Sequence, residues 1–326
     1  MSNRAFQELR DKLPNVKKNI SLKNYTTFKI GGPAEYFLVV KNKEDLIKAI
    51  KLAKKLKLHL FILGGGSNLL VSDEGFKGLV IKIQIKGLII LKKENIVEAP
   101  AGIELGKVVD FSIKKSLRDL EWAGGLPGTF GGAIRGNAGA FGGEIKDSIL
   151  EVRALDNKFN LRRLNNKQCQ FFYRSSIFKE KNWIILSASV KLQKGYKKEL
   201  QAISNSHINY RKERHPLEYP NSGSIFKNVD FKKIPTKIKK LFSDKVKKDP
   251  FPIVPAAWFI IGAGLMGRKV GQAQISEKHS NYIVNLGRAK ASDVLKLIDL
   301  VKKNIKNKYN IELEVEVQLV GFNHKT

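Results

Sequence analysis

Two stretches carry apolar residues at helical spacing. In KEDLIKAIKLAKKLKL, Leu46, Ile47, Ile50, Ala53 and Leu56 share one face, and toward the C-terminus Val294, Leu297, Ile298, Val301 and Ile305 do the same. Shorter helices are predicted over Phe6–Leu13, ended by Pro14, and over KELQAISNSHINYRKERHP, stopped by Pro216. GKVVDFSIKKSLRDLEWAGG is predicted as one helix. Short apolar or alternating runs predict strands at Ala34–Val40, in LHLFIL, just after Ser67-Asn68, and several times within GLVIKIQIKGLIILKKENIVEAPAG. ILEVRALDNKFNLRRL reads as a hairpin turning at Asp156-Asn157, WIILSASVKLQKG as a strand, and IELEVEVQLVG as a terminal strand. YPNSGSIFKNV is a turn-rich segment between Tyr219 and Asn228, and no internal repeat is visible.

Between these elements lies AGGLPGTFGGAIRGNAGAFGGE, residues 123–144, whose glycines fit no regular element. Glycine costs backbone entropy on folding, so such a run needs a geometric reason. Positive φ at successive turns is one, and a main chain lying against a flat ligand is another. Flexible linkers are polar and serine-rich, whereas this stretch holds Leu126, Pro127, Phe130, Ile134 and Phe141 and no serine. It reads as an ordered, buried wall. A second glycine turn, Gly64-Gly65-Gly66, follows a strand and leads through Ser67-Asn68 into another. Converging backbone N–H groups there suit a phosphate. With no GK[ST] and no helix behind it, the turn is neither a Walker loop nor a GxGxxG fingerprint.

At 326 residues the chain is long enough for two or three domains, and its 42% apolar content suffices for real cores. Its net charge of +30 favours anionic ligands. A nucleic-acid footprint clusters on one face, but these lysines run from Lys12 to Lys325 in a chain also rich in Ile and Asn, which points to a compositional bias. The single cysteine, Cys169, excludes an intramolecular disulfide framework and a cysteine-based zinc cluster. No signal-like N-terminus and no membrane-length apolar run is present, so a cytoplasmic protein is expected. His59, His207, His215, His279 and His324 are too scattered for a metal site, and none is expected.

Few residues stand out for chemistry. Ser224 follows Gly223 in a turn, but NSGSIF lacks the GxSxG elbow and has no neighbouring histidine, which excludes a hydrolase triad. Alone it reads as a turn-capping serine. Arg174 sits in the apolar, aromatic FFYRSS, where a guanidinium needs a partner: a structural ion pair, or a bound carboxylate or phosphate. Glu312, Glu314 and Glu316 alternate, so one side of the terminal strand carries all three. By themselves these residues describe an α/β ligand-binding protein, an enzyme using a large phosphorylated cofactor.

Seven segments together say more. TTFKIGGPAEYF, LGGGSNLLVSDEGFKGLVI, EWAGGLPGTFGGAIRGNAGAFGGE, FFYRSSIF, NSGSIFKN, QISEKHSNYIVN and LEVEVQLVG occur in the order and near the spacing of the UDP-N-acetylenolpyruvoylglucosamine reductase family. The resemblance runs from Lys23 to Gly321 and is to the shorter subfamily, which lacks an inserted tyrosine-bearing loop. It implies an α+β fold: a two-subdomain FAD-binding fold of the vanillyl-alcohol oxidase type plus a C-terminal α+β substrate domain. The expected division is residues 1–84 for the first subdomain, joined by a C-terminal strand 311–326, then 85–208 for the second and 209–310 for the substrate domain. The resemblance implies non-covalent FAD and NADPH as co-substrate; no histidine or cysteine lies in either glycine segment to link a flavin covalently. It places Gly64, Gly65, Gly66, Ser67, Asn68 and Leu69 around the FAD pyrophosphate, and Gly124, Gly125, Gly128, Thr129, Gly132, Asn137 and Gly139 along the flavin and its phosphates.

The implied reaction is reduction of UDP-N-acetylglucosamine enolpyruvate to UDP-N-acetylmuramate for peptidoglycan, with hydride delivered to C3 and a proton to C2. By resemblance Arg174 and Glu316, the latter protonated or sharing a proton, stabilise charge on the substrate carboxylate, and Ser224 is the general acid. Lys227, Asn228 and His279 match substrate-binding positions. Partners are limited to the nucleotide-sugar substrate, with no nucleic acid and no membrane, and a monomer is expected. Gln318, Phe141 and Val229 depart from the family's usual arginine, tyrosine and proline. The rival readings are an FAD-dependent oxidase of the same fold, which leaves the Arg174, Ser224 and Glu316 set unexplained, and a basic nucleic-acid-binding protein, which leaves the glycine wall without purpose.

Overall fold

The computed structural model describes residues 2–85, 87 and 89–322. The chain separates into two units: Met1–Ile20, Ala34–Gly65 and Lys77–Arg211 form the first, and Ser21–Pro33, Gly66–Phe76 and Lys212–Thr326 the second.

The first unit holds two cores. One forms where a four-stranded sheet, ordered Lys17–Ser21, Pro33–Val40, Phe76–Ile83, Leu60–Leu63, meets the helix Lys43–Lys55. That helix buries Leu46, Ala49, Ile50, Leu52 and Ala53 and starts at Asn42, whose side chain accepts from the Asp45 N–H. The other core lies on a five-stranded antiparallel sheet, ordered Leu161–Asn165, Ile149–Leu155, Ile184–Lys191, Ile96–Pro100, Ile90–Lys92. Two helices, Leu105–Lys114 and Phe130–Arg135, contribute Val108, Val109, Phe130 and Ile134 to it. The hairpin loop is tied by Asp156, which accepts from Lys158 N, Asn160 N and Arg162 Nε. Burial pushes the Asp156 carboxyl up, but these bonds together outweigh it and bring it down to about 2.

In the second unit the sheet ordered Asn221–Ser224, Tyr282–Asn285, Ala273–Ile275, Lys269–Val270 is antiparallel. It shares a core with the long helix Ala291–Tyr309, whose Val294, Leu297, Ile298, Val301 and Ile305 are buried. Asp73 holds the start of this helix, accepting from Ala291 N at 2.7 Å and Ser292 N at 3.0 Å. The last strand, Gln318–Val320, runs parallel to Leu69–Val71.

Four expectations are corrected. The helix predicted over GKVVDFSIKKSLRDLEWAGG stops at Lys114, because Ser116 and Asp119 take φ of 57° and 93° and break the ladder. The glycine wall is not devoid of regular structure: Thr129 caps the helix Phe130–Arg135, its Oγ1 accepting from Gly132 N at 3.2 Å, and burial of Phe130 and Ile134 overrides glycine's poor propensity. Nor is the wall wholly buried, since Gly125, Pro127, Gly132, Phe141 and Gly142 are exposed. The terminal strand is shorter than IELEVEVQLVG: it spans Gln318–Val320, and residues 311–317 carry no strand beyond the bridge between Val315 and Phe226. Of the terminal segment expected over 311–326, residues 323–326, His324 among them, lie outside the described residues.

Candidate active site

In the first unit the two glycine segments pack on each other. A Cβ added at Gly65 would lie 2.7 Å from the Gly128 Cα, so both chains must be bare where they touch. Gly128 also takes a φ of 119°, and its carbonyl accepts from Leu105 N at 3.0 Å. Gly64 meets Thr129, and its carbonyl oxygen accepts a hydrogen bond from the Lys82 ammonium. Lys82 lies opposite Leu63 across the parallel strand pair, which brings its Nζ to the turn that follows Leu63. Much of the glycine content is therefore set by the packing of the chain against itself.

The far end of the wall is fixed from two directions. The turn Phe172–Ser176 is stitched onto residues 135–139: Asn137 Nδ2 donates to Phe172 O at 3.0 Å, Arg174 Nη2 to Gly139 O at 2.9 Å, and Ser176 Oγ to Arg135 O at 2.7 Å. Asn137 is completely buried and its Oδ1 accepts from Lys146 N. FFYRSS is thus a turn, and Arg174 sits in it at φ 55°. From the other side the helix Lys197–Arg214 supplies Arg211, whose Nε donates to Gly124 O at 3.0 Å and whose guanidinium lies 5.0 Å from the Phe141 ring centre. His207 stacks on the same ring, centroids 4.0 Å apart. Sequence reasoning missed Lys82, His207 and Arg211. A lysine inside the apolar run FKGLVIKI was the one visible signal.

In the second unit the turn continues. Gly66 has φ 69°, a Cβ there would fall 2.0 Å from the Tyr25 carbonyl oxygen, and its own carbonyl accepts from Thr27 N at 3.1 Å. Ser67 is half-buried and Asn68 exposed. Asn68 Nδ2 donates to Glu316 O at 3.3 Å, Asn68 O accepts from Gln318 N at 3.0 Å, and Leu69 is the register partner of Gln318. Glu316 is tied equally closely to Ser224: its N–H donates to Ile225 O at 2.8 Å. The backbone contacts of residues 316–318 therefore bring Asn68, Ser224 and Glu316 onto neighbouring segments.

Ser224 ends the strand Asn221–Ser224 instead of standing in an isolated turn, with Gly223 at φ 79° where the pairing register shifts. Lys227 N donates to Glu314 O at 2.9 Å, and the two side chains form an ion pair. Asn228 Oδ1 caps the helix Ala256–Gly262 through Ala256 N at 3.2 Å. His279 packs within 4.7 Å of Tyr282 and 5.5 Å of His215, ring centre to ring centre, and Tyr282 is the register partner of Ser224. Burial, aided by Lys247, pushes the His279 imidazole below its usual value. Its Nδ1 accepts from Asn281 N at 3.3 Å, which fits a neutral ring. Among the described residues no group of three His, Cys, Asp or Glu is placed to hold a metal ion.

The residues fit a flavin dinucleotide. Exposed, side-chain-free backbone at Gly132 leaves room for a planar group, since a Cβ there would meet only the Thr129 hydroxyl at 3.2 Å. Residues 34–165 match the family described as an FAD binding domain. The chain is a flavin-dependent oxidoreductase, with an FAD-binding fold of the vanillyl-alcohol oxidase type followed by an α+β C-terminal domain. Residues 215–320 match the C-terminal domain of UDP-N-acetylenolpyruvoylglucosamine reductase. The enzyme of that name from Caldanaerobacter subterraneus subsp. tengcongensis is 38% identical over 96% of this chain and 98% of its own. That of Clostridium novyi is 36% identical over 98% and 96%. The crystal structure of UDP-N-acetylenolpyruvylglucosamine reductase from Thermus caldophilus superposes with a TM-score of 0.74 at 29% identity, covering 94% of this chain and 98% of that one. The chain belongs to the UDP-N-acetylenolpyruvoylglucosamine reductase family.

Proposed function

We propose that the protein reduces UDP-N-acetylglucosamine enolpyruvate to UDP-N-acetylmuramate with NADPH, in the synthesis of peptidoglycan. When bound, FAD supplies the two-electron carrier that takes hydride from NADPH and gives it to C3 of the enol ether. Gly64, Gly65, Gly66, Ser67, Asn68 and Leu69 hold its pyrophosphate, and Gly124, Gly125, Gly128, Thr129, Gly132, Asn137 and Gly139 line the rest.

The enol ether is electron-rich and accepts hydride poorly, so charge must be drawn onto the substrate carboxylate as C3 is reduced. Arg174 and a protonated Glu316 hold that charge; preorganised donors aimed at developing charge are among the largest catalytic terms. Arg174 enters with its carbonyl accepting from Lys179 Nζ and its Nη2 donating to Gly139 O, which orients the guanidinium. Ser224 delivers its hydroxyl proton to C2 as the C2 lone pair is protonated, and the hydroxyl recovers a proton from water. Lys227 neutralises the UDP diphosphate, while Asn228 and a neutral His279 hold the sugar.

The observation that carries this reading is the direct backbone link between the Ser224 and Glu316 segments, Glu316 N to Ile225 O at 2.8 Å. It joins the segments that carry Ser224 and Glu316, which supports reading the pair as an acid and a charge-stabilising carboxyl. The two cores of the first unit support two cofactor subdomains at 1–84 and 85–208, with 209–310 for substrate. We place the reaction in the cytoplasm, carried out by a monomer that binds no nucleic acid. No helix among the described residues is long and apolar enough to cross a membrane. A reducing compartment suits the free thiol Cys169, which burial pushes up to about 12.

The test is optical. Purified protein is yellow, anaerobic NADPH bleaches it, and UDP-N-acetylglucosamine enolpyruvate restores the oxidised spectrum. A bleached protein indifferent to that substrate rejects the assignment.

A further inference from the structure

Lys82 is a cation out of place. It sits in the strand Phe76–Ile83, whose neighbours Leu79, Val80, Ile81 and Ile83 are buried. Desolvation lowers the pKa of its ammonium. An ammonium has three N–H donors and no acceptor. Among the described residues its partner is one carbonyl oxygen, that of Gly64, and no carboxylate pairs with it. Elsewhere in this unit a partly buried cation does find carboxylates: Arg153 meets both Glu98 and Glu151. A partly buried charge without a counter-charge is costly and is retained where something else compensates it.

The carbonyl that holds Lys82 opens the turn Gly64–Asn68. We propose that Lys82 is a binding residue for the anionic diphosphate of the cofactor, with the Gly64 carbonyl aiming its remaining donors at that turn and the bound phosphates serving as its counter-ion. The inference rests on the assignment of Gly64–Leu69 to the pyrophosphate. A backbone-only turn can cradle phosphate oxygens through N–H dipoles, but it brings no full charge. Lys82 adds that charge from a strand 18 residues further on. The arrangement also explains why the lysine is tolerated at all: its desolvation is offset on cofactor binding, so the liganded protein gains more than the apoprotein loses.

The experiment compares flavins with and without phosphate on the full-length apoprotein. FAD and riboflavin are titrated by fluorescence quenching into the wild type and into Lys82→Gln, Lys82→Met and Lys82→Arg, with circular dichroism and melting temperature as folding controls. Lys82→Gln keeps a donor for Gly64 and removes the charge. The expected result is a loss of FAD affinity of roughly tenfold to a hundredfold in Lys82→Gln and Lys82→Met, with riboflavin changed less than about twofold and Lys82→Arg close to wild type. The advantage of wild type over Lys82→Gln also shrinks as salt is raised. Equal loss for FAD and riboflavin assigns Lys82 a structural role and overturns the proposal, as does unchanged FAD binding in a folded Lys82→Gln. A wild type that binds riboflavin as tightly as FAD overturns the pyrophosphate assignment itself. A wild type that prefers FAD, with the preference intact in Lys82→Gln, rejects the role of Lys82 alone.

Discussion

The two units build their parts of the chemistry from different material. The first works mainly with backbone: bare chain at Gly64, Gly65, Gly128 and Gly132, carbonyls at Gly124 and Gly139 held by Arg211 and Arg174, and few side chains left over. The second works mainly with side chains on strand ends, where Ser224, Lys227 and Glu316 sit on crossing segments. A flat cofactor that is bound once and kept asks for close approach and little else. A substrate that must be polarised and protonated asks for specific functional groups. The contrast predicts that damage to the bare backbone at Gly64, Gly65, Gly128 and Gly132 appears as lost cofactor and lost stability, and damage to Ser224, Lys227 or Glu316 as lost chemistry in a cofactor-loaded protein.

Ser224→Ala is the strongest test. General acid groups contribute roughly a hundredfold to ten-thousandfold, so reoxidation by substrate should slow by that factor while reduction by NADPH is unchanged in stopped-flow absorbance. Equal slowing of both halves removes Ser224 from the acid role. Next in size is Gly65→Ala, whose new methyl meets the Gly128 backbone. Overpacking of this kind costs about 1–3 kcal/mol, and the variant should melt lower and purify with substoichiometric flavin. Full flavin content with an unchanged melting point would mean that the two glycine segments need not touch.

A third test is a pH dependence. Burial depresses the His279 pKa in the folded protein, so the unfolded chain, with a value near 6.5, binds its proton first. Stability from this residue is therefore complete above about pH 7 and declines as pH falls through 6.5 and below. The difference in melting temperature between wild type and His279→Gln should narrow on going from pH 8 to pH 5.5; a constant difference refutes the buried neutral ring. The smallest effect is expected of Glu314→Gln, which releases Lys227 from its partly exposed ion pair. Such pairs are worth little, and the KM for the nucleotide sugar should fall by about twofold to threefold with kcat unchanged.

Much of the fold was legible from the pattern of apolar positions. The helices at 43–55 and 291–309 have uninterrupted 3.6-residue stripes because each lays one face on a sheet. The helix at 130–135 was hidden, since its glycines argue against helix and only Thr129's hydroxyl and two buried side chains outweigh them. At the site, the sequence motifs marked Arg174, Ser224 and Glu316 but not what holds them. Their partners are mostly backbone carbonyls and amides, at Gly139 and Ile225, and any residue type offers those. Arg211 was silent for the same reason, since a carbonyl oxygen 87 residues away holds it, while Lys82 showed only as a lysine within an apolar run.

The pairing of Gln318–Val320 with Leu69–Val71 has a temporal consequence. A ribosome delivers Asn68 some 250 residues before the strand that anchors it, and contacts of such separation are slow to form. While translation proceeds, the Gly66–Asn68 bend lacks that neighbour. On the proposed assignment, lasting flavin capture waits until residues 316–320 have emerged, and chains released before that point stay colourless.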